Sequence, residues 1–189
     1  MADYRRRQIA GGSYFFTLVT HSRAPLFSSQ SARTILGNTL RTCQREWPFE
    51  INAIVLLPEH LHTIWTLPSG DVNYPQRWAW IKKEFTKEWL RSGGWEQPVS
   101  QSRKKRGDHG VWQPRYWEHT LKNEHDFDRH FDYIHWNPVK HRHVRCPSEW
   151  EASSIHRWIN ANVYEPEWGC GDHQNLNFED LNETAMELF

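Results

Sequence analysis

Two histidines in one apolar segment are the first residues of this chain whose spacing suggests chemistry. The segment, residues 51 to 67, consists of two apolar, strand-like stretches joined at Pro58 and Glu59, and His60 and His62 begin the second stretch. Side chains alternate between the two faces of a strand, so residues two apart share a face and lie roughly 6.7 Å apart along the backbone. Two imidazoles placed in this way can bind one metal ion.

A tyrosine and an asparagine farther along the chain share one face of a predicted helix. Tyr133 and Asn137 are four residues apart at the end of a helix predicted over 124 to 136, so they lie one turn apart on the same face. Pro138 is expected to stop the helix at Asn137, since the residue before a proline is pushed out of the helical conformation. Strand and helix together would form a compact site of two imidazoles, one amide and one phenol.

This set of side chains is suited to phosphoryl transfer through a covalent phosphotyrosine. A phenol with an ordinary pKa of about 10 is a weak nucleophile at neutral pH, so its target must be polarised. A divalent cation held by His60, His62 and the Asn137 amide oxygen would leave positions open for a phosphate and orient it for attack by Tyr133. Mixed imidazole and amide ligands suit Mg²⁺ or Mn²⁺ better than a closed structural zinc site.

The residues alone leave other interpretations open. A His-x-His pair on a strand is often incidental, and Tyr133 is by default a packed aromatic residue. A non-catalytic nucleic-acid-binding module would need neither metal nor tyrosine. A zinc hydrolase unrelated to DNA would need a further strong ligand, such as His119 or His135.

The elements that must position these residues follow an order typical of a ferredoxin-like α+β fold. The pattern predicts a strand at 13 to 20, a helix at 32 to 47, the two strands at 51 to 67, a helix at 73 to 91, a fourth strand region at 111 to 121, and the tyrosine helix. Such a split β-α-β order gives an antiparallel sheet with helices on one face. A short helix is predicted around 152 to 162, and one further turn near 179 to 188.

One domain accounts for this pattern. We predict a single domain over residues 1 to 164, with a basic arm at 1 to 12 and a mobile basic loop at 92 to 110, followed by an acidic tail at 165 to 189. All 23 Lys and Arg residues precede residue 165, against 16 of the 23 acidic residues, so the domain carries a net charge of +7. A basic domain with an acidic tail is frequent among nucleic-acid-binding proteins.

Hydropathy and cysteine content bear on where the protein is found and on whether it has disulfides or a cysteine zinc site. No apolar run is long enough to span a membrane and the N-terminus lacks an apolar signal core, so we expect a soluble, cytoplasmic protein. The three cysteines, Cys43, Cys146 and Cys170, are odd in number and widely spaced. This argues against a disulfide framework and against a cysteine zinc site.

Several motifs resemble those of one family. His60-Leu61-His62, following Leu-Leu-Pro-Glu, is similar to the His-hydrophobic-His motif of the HUH single-strand nucleases. The segment YIHWNPVKH at 133 to 141 resembles the tyrosine-helix signature of the REP-associated tyrosine transposases, which are relatives of the single-tyrosine transposases. Shorter similarities within 4 to 17, 112 to 119 and 150 to 154 extend the resemblance over roughly residues 4 to 168.

The resemblance implies an HUH nuclease fold and a metal-dependent endonuclease and strand transferase acting on single-stranded DNA. The family's targets are palindromic repeats that fold into hairpins. By resemblance, His60 and His62 bind the metal, and Tyr133 forms a 5′-phosphotyrosine link and frees a 3′-OH. Asn137 stands where the wider superfamily commonly has a Gln ligand. A monomer is expected, with a dimer possible, and the DNA substrate places the protein with the nucleoid.

Further residues are expected to bind DNA or to support the metal site. Contacts to hairpin phosphates are expected from basic side chains, which position the DNA without reading its sequence. These are Arg5, Arg6, Arg7, Lys82, Lys83, Arg103, Lys104, Lys105, Arg106 and Lys140. Glu118 and His119 are expected to support the metal ligands, the alternative being that they form a buried strand end.

Overall fold

A four-stranded antiparallel sheet forms the centre of the protein. A computed structural model describes residues 9 to 171 together with Phe178 and Leu181. The strands are β1 (Ser13–Val19), β2 (Glu50–Leu56), β3 (His60–Thr66) and β4 (Trp117–Thr120), in the spatial order β2-β3-β1-β4. All three pairings are antiparallel. This order and connectivity confirm the predicted ferredoxin-like α+β fold.

Within the described residues, five α-helices accompany the sheet. They are α1 (Gln30–Glu46), α2 (Tyr74–Arg91), α3 (Gln101–Lys105), α4 (Glu124–Lys140) and α5 (Ile155–Asn160). Asn73 caps α2 as predicted, its side chain accepting a hydrogen bond from the Gln76 backbone N–H, and Asn123 caps α4 in the same way through Asp126. No helix within the described part of the chain is long and apolar enough to cross a membrane.

The helices lie on both faces of the sheet, which corrects the expectation of a single covered face. Tyr14, Phe16 and Trp65 pack with α1 and α2 in one apolar core. Phe15, between Tyr14 and Phe16 on β1, points the other way into a second core built with α4. A strand that is buried on both faces loses the apolar–polar alternation that would have revealed the second layer, since its residues are apolar throughout.

The tyrosine helix is longer than predicted. It continues through Pro138 to Lys140 instead of ending at Asn137. A proline in the last turn removes one backbone hydrogen bond. The end is then closed by the N–H of His141 bonding to the Asn137 carbonyl and the N–H of His143 bonding to the Pro138 carbonyl. The extra turn adds Lys140 to the helix face that carries Tyr133.

Three other segments differ from expectation. The stretch 92 to 110 contains the short helix α3, and the fourth strand covers only Trp117–Thr120, with Trp112 forming an isolated bridge to Thr20. Cys146 and Cys170 form a disulfide, so the prediction drawn from odd cysteine number and wide spacing was wrong. Spacing along the chain carries no information about two loops that the fold brings together. The turn predicted near 179 to 188 falls outside the described residues except for Leu181.

Candidate active site on the sheet face under helix α4

Strand β3 places the two histidines side by side on the face covered by α4. His60 pairs with Val19 and His62 with Thr17 across the β1–β3 ladder. Both side chains are buried, and their ring centroids are 4.8 Å apart. Leu61 points to the opposite face, into the core under α1 and α2. The predicted alternation is therefore confirmed.

Each imidazole is held through its Nδ1 atom. The Nδ1 of His60 lies 3.0 Å from Glu59 Oε1, and the Nδ1 of His62 lies 2.8 Å from Thr17 Oγ1. The hydrogen bond from His60 lowers the pKa of the Glu59 carboxyl to about 2, so this carboxylate is an acceptor at neutral pH. Within the described part of the chain, the Nε2 atoms of both histidines are buried and have no hydrogen-bond partner. Nδ1 anchoring with an open Nε2 is the usual arrangement of metal-binding histidines.

Helix α4 brings an amide to the same face. Asn137 is completely buried, and neither its Oδ1 nor its Nδ2 finds a hydrogen-bond partner among the residues that the structure describes. An unsatisfied buried amide costs about 1–3 kcal/mol, so such a group calls for a ligand or a function. Asn137 is one turn from Tyr133, whose ring centroid is 5.4 Å from that of His62. The structure thus brings Tyr133 directly to the histidine pair and Asn137 to the helix turn beside it.

The donor set fits a divalent cation. Burial above all, with His60, His141 and Lys140 nearby, holds the pKa of His62 well below its usual range. A neutral imidazole keeps a lone pair for a metal. The candidate ligand atoms are His60 Nε2, His62 Nε2 and Asn137 Oδ1, a mixed nitrogen and oxygen set that could hold a divalent cation.

Tyr133 is enclosed on several sides. Its side chain has no exposed surface, and its ring contacts Phe15, His62 and Phe178 at centroid distances of 6.1, 5.4 and 5.6 Å. The Nζ atom of Lys140 donates a hydrogen bond of 3.1 Å to the Tyr133 hydroxyl. The phenol oxygen therefore has a defined charged partner inside the site.

Comparisons with known proteins show the family of this chain. The chain is 40% identical over 173 residues to the REP-associated tyrosine transposase of Escherichia coli K12, covering 91% of this chain and 93% of the relative. A relative from Haemophilus influenzae named for the same family is 37% identical over 169 residues, covering 89% and 94%. The chain belongs to the REP-associated tyrosine transposases. No protein-family model matches the sequence.

A solved structure supports the assignment of fold. A REP-associated tyrosine transposase bound to a REP hairpin superposes with a TM-score of 0.72 at 39% identity, covering 89% of this chain and 91% of that one. The two-sided sheet described above is thus the fold of a REP-associated tyrosine transposase.

Sequence reasoning missed three residues that lie against the histidine pair. Thr17 and Glu59 fix the two imidazoles, and the ring of His141 lies 5.3 Å from that of His60. The β1–β3 register is a tertiary property, so nothing in the sequence pairs Thr17 with His62. Glu59 could more easily have been recognised from the sequence as a partner of His60, because it directly precedes that residue.

The two residues predicted to support the metal ligands, Glu118 and His119, lie on opposite faces of the sheet. Glu118 pairs with Phe16 and points into the α1 and α2 side of the sheet, away from the histidine pair. His119 faces α4, with its Nε2 2.9 Å from Asp126 Oδ2, and it stacks on His130 at 4.8 Å. Among the described residues, these three (His119, Asp126, His130) form a His/Asp cluster whose ligand atoms lie within 4.8 Å of one another and which could also hold a cation.

The predicted DNA-binding residues between 82 and 106 fall into two groups, those held by contacts within the protein and those exposed. Lys82 donates hydrogen bonds to the Gln113 and Pro114 carbonyls, and burial, with Arg103 nearby, lowers its pKa to about 8, so it ties down a loop. Arg103 contacts His21 and Asp108. The exposed members are Lys83, Lys104, Lys105 and Arg106, of which Arg106 pairs with Asp108. Arg5, Arg6 and Arg7 lie outside the described residues.

Proposed function

We propose that this protein is a metal-dependent single-stranded DNA endonuclease and strand transferase that recognises palindromic hairpins and cleaves beside them. The observation that supports this most directly is the convergence of two imidazole nitrogens with a phenol, and of a buried amide one helix turn away. Among the described residues, neither the two nitrogens nor the amide has a hydrogen-bond partner. The family membership and the hairpin bound to the 39% identical relative support the substrate class.

The chemistry follows from the placement of the chain's own residues. When bound by His60, His62 and Asn137, Mg²⁺ or Mn²⁺ supplies charge neutralisation at the scissile phosphate. Glu59 and Thr17 keep the two imidazoles oriented. Tyr133 attacks phosphorus, so that a Tyr–O–P bond to the new 5′ end forms while the P–O3′ bond breaks. The products are a 5′-phosphotyrosine and a strand with a free 3′-OH, which rejoins DNA when the reaction runs in reverse.

Hairpin recognition rests on the basic surface. The exposed residues Lys83, Lys104, Lys105 and Arg106 can contact phosphates, with Arg5 to Arg7 as further contacts. Binding of this kind weakens steeply with salt. We propose a monomer as the acting form, working on chromosomal DNA in the cytoplasm.

The test uses a labelled REP hairpin with single-stranded flanks, incubated with the protein and Mn²⁺ or Mg²⁺. We expect a denaturation-resistant protein–DNA adduct that disappears in Tyr133→Phe and with chelator. Tyr164→Phe is the matched control, since Tyr164 is also buried near α4 but bonds to Asp132. Equal adduct or equal nicking by the Tyr133→Phe protein would refute the proposal.

One observation favours a second candidate, a hairpin-binding module without catalysis. Tyr133 has no exposed surface and Phe178 packs on its ring, so the phenol is covered as the chain stands. This alternative predicts hairpin binding that is unchanged in His60→Ala and His62→Ala and in chelator, with no nicking under any condition.

A further inference from the structure

Lys140 stands apart from the other basic residues predicted to bind DNA. It is the last residue of α4, and the spacing of Tyr133, Asn137 and Lys140 places all three on one helix face. Side chains of a helix lean toward its N-terminus, so Lys140 reaches back over the face that carries the other two. It points into the candidate site rather than out along the exposed basic surface.

Two contacts join Lys140 to the tyrosine. Its Nζ donates a hydrogen bond to the Tyr133 hydroxyl at 3.1 Å, and the same atom lies 4.9 Å from the centre of the Tyr133 ring. Lys83 and Lys104, by contrast, are exposed on α2 and α3. The half-buried Lys140 thus places its ammonium beside the oxygen that would react, on a fully buried phenol.

We propose that Lys140 is a catalytic residue of the tyrosine reaction, which aims the Tyr133 oxygen and offsets the negative charge that develops on it. This inference rests on the proposed function. In cleavage the Tyr133 O–P bond forms, the P–O3′ bond breaks, and the proton lost by the phenol is balanced by the proton gained at O3′. In rejoining the O–P bond breaks and its electron pair returns to the Tyr133 oxygen.

The same hydrogen bond serves both directions. A donor held at the oxygen where charge develops stabilises the transition state in a buried site, and removing one such donor typically costs about 10²–10³ in rate. The oxygen loses its proton on attack and regains charge as the leaving group on rejoining. Lys140 therefore accelerates cleavage and rejoining alike, whereas a phosphate contact would add only to DNA binding.

The experiment separates these roles with Lys140→Met, Lys140→Arg and, as a matched control, Lys83→Met. Single-turnover adduct formation is measured at saturating REP hairpin with single-stranded flanks and Mn²⁺, and hairpin affinity is measured separately over a salt series in chelator. We expect Lys140→Met to slow adduct formation and rejoining by about 100-fold with hairpin affinity within threefold. Lys140→Arg should recover at least tenfold of the loss, and Lys83→Met should change affinity alone.

A rate at saturation that is unchanged in Lys140→Met, with weaker binding and a salt slope reduced by about one phosphate contact, would make Lys140 a DNA contact and overturn the inference. An equal loss in the Met and Arg variants would also overturn it, because it would indicate a packing role. If the unsubstituted protein forms no adduct at all, the proposed reaction itself fails, which is a different observation.

Discussion

Thr17 offers a test of whether the imidazoles are metal ligands. Its hydroxyl lies 2.8 Å from His62 Nδ1, both groups being fully buried. A metal at Nε2 requires that Nδ1 carry the proton and donate it to Thr17. Thr17→Val keeps the side-chain shape but leaves this N–H without an acceptor, which frees the ring orientation and the tautomer. Loss of such a supporting partner typically weakens metal binding 10- to 100-fold, or about 1.4–2.7 kcal/mol.

Thr63→Val is the matched control for this prediction. Thr63 is as buried as Thr17 and follows His62 directly on β3. Its hydroxyl donates a 2.8 Å hydrogen bond to the Ala53 carbonyl. Each variant removes one buried hydrogen bond, so each should lower the free energy of unfolding by about 1–3 kcal/mol.

The assay is Mn²⁺ titration of the folded protein by calorimetry, with circular dichroism to confirm folding. We expect the Mn²⁺ dissociation constant to rise 10- to 100-fold in Thr17→Val and to stay within about twofold in Thr63→Val. Equal dissociation constants in the two variants would refute the idea that Thr17 orients a metal ligand.

Three further results are expected. Burial lowers the pKa of His135 to about 3, so below about pH 6.5 the unfolded chain binds one proton more than the folded chain. The free energy of unfolding should therefore fall by about 1.4 kcal/mol per pH unit as the pH drops toward 3. Urea unfolding at pH 7 and pH 5 should show a pH dependence of the free energy of unfolding that is smaller by one proton in His135→Gln, and an equal dependence in the two proteins would contradict this. Phe178→Ala removes a ring that covers Tyr133 and should speed adduct formation about 2- to 10-fold, since an aromatic pair contributes roughly 0.5–1.5 kcal/mol. A slower reaction would show that Phe178 aligns the phenol instead. Cys170→Ser opens a disulfide spanning 24 residues and should lower the free energy of unfolding by about 3 kcal/mol. Adding a thiol reductant to this variant should cause no further loss of stability. A further loss would show that the bridge is not the Cys146–Cys170 pair.

The sheet was predictable because its strands are short apolar runs in a familiar order. His60 and His62 follow from strand alternation alone, and Tyr133 with Asn137 follows from helical spacing. These are local patterns, and the structure keeps each of them. The end of α4 was not predictable from Pro138, because a proline in a last turn costs little when loop N–H groups close the helix.

What sequence could not supply is contact between distant segments. Thr17 reaches His62 through the β1–β3 register, and Phe178 contacts Tyr133 although the two are far apart in the sequence. Glu118 was expected to support the metal ligands, but it points away from them, and its direction depends on how β4 pairs with β1. Lys140 was grouped with phosphate contacts because its charge is visible in the sequence and its hydrogen bond to Tyr133 is not.

The central claim is that the Tyr133 oxygen becomes covalently bound to DNA. Trypsin should release the segment from His130 to Lys140, in which Tyr133 is the one tyrosine. After incubation with REP hairpin and Mn²⁺ and digestion with nuclease, mass spectrometry should find this peptide carrying a nucleotide 5′-phosphate on Tyr133. A hairpin that is cut while this peptide stays unmodified, with the link on another residue or with none, would contradict the account.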